Sequence, residues 1–148
     1  MVTNPEYPLI ADTSALVSLA TKTDHNHHAA VMAATELQKT KRAIILPADI
    51  LSETLNILGK KSDKQTAHKA AEQLLHEGTQ FILVDTAVHI PAALRKFIQL
   101  PPGVSFTDCL VMAVADHYQT RDIFGFDKQF ADAGYTRLTP SQDWSTSS

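Results

Sequence analysis

The sequence predicts an α/β domain: a three-layer α/β/α arrangement around a central, mostly parallel sheet. Three observations carry this. Apolar runs of strand length recur along the chain, stretches with helical spacing separate them, and glycine, proline or a capping residue marks most of the changes. The 148 residues suit one domain with one core.

The elements follow in order. Tyr7-Pro8-Leu9-Ile10-Ala11 reads as a short buried strand ending at Asp12. Residues 13–20 read as a helix on apolar Leu16, Val17 and Leu19, and a polar connection over 21–28 leads to a second helix from about 29 to 39. Ala43-Ile44-Ile45-Leu46 is the second strand, closed by Pro47. A helix over about 49–60 follows, with Ile50, Leu51, Leu55, Ile57 and Leu58 mostly on one face and Gly59 as its stop signal. Asp63 can cap another helix, about 64–76, which Gly78 ends.

Phe81-Ile82-Leu83-Val84 is the third strand. Residues 86–98 read as helix, with Pro91 near a start or a kink. Pro101-Pro102-Gly103 is a firm break before a helix over 105–118. Ile123-Phe124-Gly125-Phe126 is the fourth strand, ending at Asp127, and a last short strand is expected near 135–138. The domain is expected to span 1–140, with 141–148 a polar tail that is frayed apart from Trp144.

Composition narrows the function. The single cysteine, Cys109, excludes an intramolecular disulfide and a Cys-rich zinc site, and suits a reducing compartment. No secretory signal opens the chain and no apolar run is long enough to span a bilayer, so the expected location is the cytoplasm. The formal net charge of −3 counts against a nucleic-acid binder that works by charge alone. It does not count against a nuclease that loads divalent cations, which bring positive charge to the place where phosphate must sit.

The acids form the notable pattern. Asp12 and Asp127 end strands, Glu53 lies early in the helix after the second strand, and Asp108 starts the helix after the Pro-Pro-Gly break. Ligands in open α/β sheets bind beyond the C-terminal strand ends, and all four acids are expected there. Clustered carboxylates raise one another's cost of ionising, and hard cations such as Mg²⁺ or Mn²⁺ relieve it. Each acid also has an ordinary structural reading. Asp12 can be a helix N-cap, Ser105-Phe106-Thr107-Asp108 matches a capping box, Glu53 can be a solvated helix residue, and Asp127 a turn residue.

The ordered set resembles the PIN-domain nucleases, and within them the VapC-type toxins of prokaryotic toxin–antitoxin pairs. Ile10-Ala11-Asp12-Thr13-Ser14-Ala15-Leu16 is similar to the family's opening signature, and Ser52-Glu53-Thr54-Leu55-Asn56-Ile57-Leu58 to its second motif. Ser105-Phe106-Thr107-Asp108-Cys109-Leu110 is similar to the third, and Phe126-Asp127-Lys128-Gln129-Phe130 to the fourth. The likeness reaches about Thr139. Members often carry Thr or Ser two places before the fourth acid; here that place is Gly125, and a polar contact near the second metal site goes with it.

The resemblance implies hydrolysis of RNA phosphodiesters with one or two Mg²⁺ or Mn²⁺ ions. Asp12, Glu53 and Asp108 would hold the principal ion or its water, and Asp127 a second ion or a water. Thr13, Ser14 and Thr107 are hydroxyl donors beside the cluster, with capping the equal alternative, and Asn56 shares a helix face with Glu53. A small antitoxin protein and a second copy of the chain are the partners implied. A catalytically weak module of the same fold, acting by binding a protein or RNA, is the rival reading.

Other charged groups have plainer readings. Lys39-Lys41-Arg42, Lys60-Lys61 and Lys128 are candidate RNA contacts, with solvated surface the commoner fate. Asp116 and Asp122 read as solvated, and Asp24-His25-Asn26-His27-His28 as capping or solvent-facing loop residues rather than a metal site. A phosphatase of the haloacid dehalogenase type needs an acid where Ser14 stands, a receiver domain needs an early acidic pair, and no Gly-x-Gly-x-x-Gly or Walker A loop is present.

Overall fold

The computed structural model describes residues 7–139; the expectations for the extreme N-terminus and for the 141–148 tail lie outside it. Four strands, β1 (Leu9–Ala11), β2 (Ile44–Pro47), β3 (Phe81–Val84) and β4 (Ile123–Phe124), pair in the order β3-β2-β1-β4, and every pairing is parallel. Register is set by apolar partners such as Ile10 with Ile45 and with Ile123. Among the described residues seven α-helices complete an α/β/α domain: α1 (Thr13–Ala20), α2 (His27–Lys39), α3 (Ala48–Lys61), α4 (Lys64–Leu75), α5 (Ile90–Gln99), α6 (Phe106–His117) and α7 (Lys128–Asp132). Strand order reverses at β1, which has β2 on one side and β4 on the other. Crevices form at the C-terminal ends of strands at such a reversal.

The core lies along β1 and α6. All three β1 residues are fully buried, and α6 is buried without a break from Asp108 to Ala115. That run explains why α6 lacks a polar stripe: it is a central helix packed on β1 and α5. At the other extreme, α5 buries only Ala93 and leaves Ile90, Leu94, Phe97 and Ile98 exposed.

Several boundaries differ from expectation. Pro47 belongs to β2, in register with Val84, because Pro at a strand end costs no ladder bond there. Helix α2 begins at His27, so His27 and His28 are helical rather than loop residues. Gly59 does not stop its helix; α3 runs through it to Lys61. The 86–98 helix divides into a 3-10 turn, Ala87–His89, and α5 with Pro91 in its first turn, where a missing N–H costs nothing. Strand β4 stops at Phe124, and the expected last strand is a single bridge between Asp122 and Thr136. Helix α7 was not expected at all. In β3, an edge strand, Ile82 and Leu83 are about half exposed, so its apolar run does not mean burial on both faces.

Two charged residues were misplaced by the sequence reading. Asp122 is not solvated and Arg42 is not a free surface cation: both are buried, and the Arg42 Nη2 donates to Asp122 Oδ2 across the N-terminal ends of β2 and β4. Arg42 Nε also donates to the Tyr7 carbonyl, at 2.8 Å. Asp116, by contrast, is exposed as expected, accepting from Tyr135 Oη and from Lys96.

Candidate active site

The acids meet at the C-terminal edge of the sheet. One carboxylate oxygen from each of Asp12, Asp108 and Asp127 lies within 4.8 Å of the others, and among the described residues no other set of three or more acid, histidine or cysteine side chains converges so closely. They line a cleft of about 370 Å³ together with Thr13, Ser14, Glu53, Ser105 and Thr107. Glu53 faces the same cleft from α3 but stands outside the close triad. Asn56 is exposed on α3 and is not part of the lining. The histidines of 24–28 make no such cluster: Asp24 accepts from Ser18 Oγ and the Asn26 N–H, and His27 Nδ1 bonds the Ser18 carbonyl at 2.8 Å.

Capping and convergence turn out to be compatible. Asp12 is the N-cap of α1, its Oδ2 accepting from Ser14 N at 3.3 Å and from Ser14 Oγ at 2.8 Å. Asp108 completes the capping box with Ser105, accepting from Ser105 N at 3.2 Å while its own N–H donates to Ser105 Oγ at 3.1 Å. Capping thus fixes both carboxylates in place. Asp127 differs: it is the N-cap residue of α7 by position but its side chain makes no capping bond.

Electrostatics set Asp12 apart. It is 3% exposed, and burial, with the charges of Asp127 and Asp108, pushes its carboxyl up to about 7 against the pull of the Ser14 hydrogen bonds. Asp127 is also raised, by burial and by Asp108, with Arg137 pulling the other way. Cys109, buried beside Asp108, has its thiol pushed up by burial and by that neighbouring charge. Three hard oxygen donors, one in a site where its ionised form is costly, suit a divalent cation.

The wall beside Asp12 is held from both sides. Asp12 N donates to the Phe124 carbonyl at 2.9 Å, Leu138 N to the Gly125 carbonyl at 2.8 Å, and Arg137 Nη1 to the Phe126 carbonyl at 2.9 Å. Ser14 Oγ accepts from Phe126 N at 2.9 Å. Arg137 was not singled out in the sequence; it lies ten residues past Asp127 in a segment that looked like strand, and it acts on Asp127 and the Phe126 carbonyl.

Comparison with known proteins agrees with this geometry. The model of the PIN domain matches residues 9–134, most of the chain and a range within which all four acids fall. The chain belongs to the PIN-domain family. Among solved structures, this PIN domain is similar to the Mycobacterium tuberculosis toxin VapC20, described as cleaving the sarcin-ricin loop, with a TM-score of 0.74 and 21% identity over 86% of this chain and 96% of that one. No curated protein sequence matches it. No helix among the described residues is long and apolar enough to cross a membrane.

Proposed function

We propose that this PIN domain is a Mg²⁺- or Mn²⁺-dependent endoribonuclease, the toxin of a toxin–antitoxin pair. The observation that carries the reading is the convergence of three carboxylates, one of them the nearly buried Asp12, whose ionised form burial and its two acidic neighbours disfavour. Membership of the family and the likeness to a toxin of the same fold support it.

In this reading Asp12, Asp108 and Asp127 hold the ion, and Glu53, in the lining of the same cleft, holds or orients a water. A bound Mg²⁺ or Mn²⁺ supplies an activated water and offsets charge on the phosphate. Asp12 must give up its proton to bind, and the Ser14 hydrogen bonds favour that ionised form. Ser105 fixes the Asp108 carboxylate. Thr13 Oγ1 is buried with no hydrogen-bond partner, and Thr107 is half-buried in the lining, so both hydroxyls serve as reserve donors at the site. An antitoxin protein, a second copy of the chain and a cytoplasmic location belong to the same reading, as does a domain covering 1–140.

Cleavage of RNA by purified, antitoxin-free protein in Mg²⁺ or Mn²⁺, with EDTA and Asp108→Asn as controls, tests it. Cleavage lost in both controls is expected. Cleavage that survives Asp108→Asn sinks the site assignment, and metal binding with no cleavage of any RNA favours the binding-module alternative.

A further inference from the structure

Gly125 is where this chain departs from the motif that it otherwise resembles, and the structure gives the position a physical meaning. A Cβ built on Gly125 would lie 2.7 Å from the Asp12 Cβ, 3.2 Å from Asp12 Oδ2 and 3.3 Å from the Ile123 Cγ2. The first distance is closer than real side chains come, so something must move if a side chain is placed there. The glycine is not needed for its backbone freedom, since Gly78 and Gly134 are the glycines with positive φ. It is needed for space, and Asp12 takes up that space.

Relief has few directions. The backbone around position 125 cannot easily retreat, because the Phe124, Gly125 and Phe126 carbonyls and the Phe126 N–H are all hydrogen-bonded. Asp12 is therefore the group that would shift. What holds it now is Ser14, whose hydroxyl donates to Asp12 Oδ2 at 2.8 Å and accepts from Phe126 N at 2.9 Å. One side chain thus joins the acid after β1 to the backbone that leads directly into Asp127, 112 residues away in sequence from Ser14 to Phe126.

We infer that Gly125 and Ser14 act together as a positioning pair: the vacant side-chain position at 125 seats Asp12 against the end of β4, and the Ser14 hydroxyl locks it there, so that Asp12 and Asp127 present their oxygens as a unit to a divalent cation. The inference rests on the metal-dependent reading above. It adds that the position where members often carry Ser or Thr serves here as space for Asp12, while the Ser14 hydroxyl reaches across from α1 to the Phe126 N–H. Neither residue is itself a ligand in this arrangement. Both act through Asp12.

The test is Mn²⁺ binding to the full chain by calorimetry, with urea denaturation run alongside. Supporting residues around metal ligands typically change affinity by about 10- to 100-fold. Gly125→Ala is expected to weaken Mn²⁺ binding by about tenfold or more although it removes no ligand atom. Ser14→Ala is expected to weaken binding several-fold and to speed hydrogen exchange at the Phe126 amide, and Ser14→Thr, which keeps the hydroxyl, to recover both. A folded Gly125→Ala with wild-type affinity overturns the pair. If Gly125→Ala does not fold, equal affinities in Ser14→Ala and wild type overturn it, and loss in Ser14→Ala with recovery in Ser14→Thr upholds it. Wild-type protein that binds no Mn²⁺ overturns the functional reading itself, which is a different result from wild-type binding with indifferent variants.

Discussion

Two nearly buried aspartates stand at opposite ends of the same parallel sheet, and the protein treats them in opposite ways. Asp122, just before β4, is 8% exposed and meets the guanidinium of Arg42, itself 2% exposed. Asp12, just after β1, is 3% exposed and meets two further carboxylates. At the N-terminal end the fold neutralises the charge it buries. At the C-terminal end it gathers like charges around Asp12, with Arg137 pulling on Asp127. A second cleft, about 300 Å³, lies near the N-terminal end with Lys41 and Arg42 in its lining, and none of the converging acids is there. The charge at the N-terminal end is compensated within the chain, and in the proposed reading the cluster at the other end is compensated by a bound cation.

Removing half of the compensated pair should have the largest effect on stability. Arg42→Ala leaves Asp122 buried without its cation and should cost about 3–5 kcal/mol, read from urea denaturation. Indifference to the substitution would end the contrast between the two sheet ends.

The opposite sign is expected at the other end. Asp12→Asn should stabilise the metal-free protein at pH 8 by roughly 2 to 4 kcal/mol, because it removes a carboxylate whose ionised form burial and two acidic neighbours disfavour. The pH dependence follows from the same group. Its carboxyl sits near 7 when folded, against 3.8 as the ordinary value. Between those values the folded chain holds a proton that the unfolded chain lacks, so metal-free stability should fall as pH climbs from about 4 to about 7. Asp127, also raised, adds in the same direction. Thermal melts in EDTA across that range check this, and a melting temperature that rises towards pH 7 would contradict it.

Saturating Mn²⁺ should restore what the ionised cluster costs. At a hundredfold excess over the dissociation constant the gain is about 2.7 kcal/mol, and it should vanish in Asp127→Asn at the same Mn²⁺ concentration if that affinity is lost. Glu53→Gln should move stability least, within about 0.5 kcal/mol, since the residue is half-buried on the cleft wall. Its cleavage rate should nevertheless drop, and a variant with wild-type cleavage would remove Glu53 from the site.

The sequence was most readable where local pattern decides structure. The apolar runs at 9–11, 44–46 and 81–84 and the caps Asp63 and Ser105 all found their places. The fold class and the meeting of Asp12, Asp108 and Asp127 followed from the order of elements. Long-range pairings were not readable. Nothing near Arg42 in sequence points to Asp122, 80 residues on, and so both looked solvated. Helix α7 is five residues long with a polar composition, too short to show a period. Strand β4 lost its last two expected residues because Gly125 and Phe126 turn their hydrogen bonds to Leu138, Ser14 and Arg137 rather than to a sheet ladder.

The burial of Cys109 beside Asp108 has a use of its own. The thiol lies in the unbroken buried run of α6, and its proton is held more tightly than usual. Thiol reagents attack the thiolate, so this buried sulfur reacts when the packing around it opens locally. Its labelling rate is therefore a clock for local opening, one that runs at the very residue next to a carboxylate of the cleft. Occupancy of the cleft, by whatever ligand closes it, would be read as a slowing of that clock without any engineered reporter.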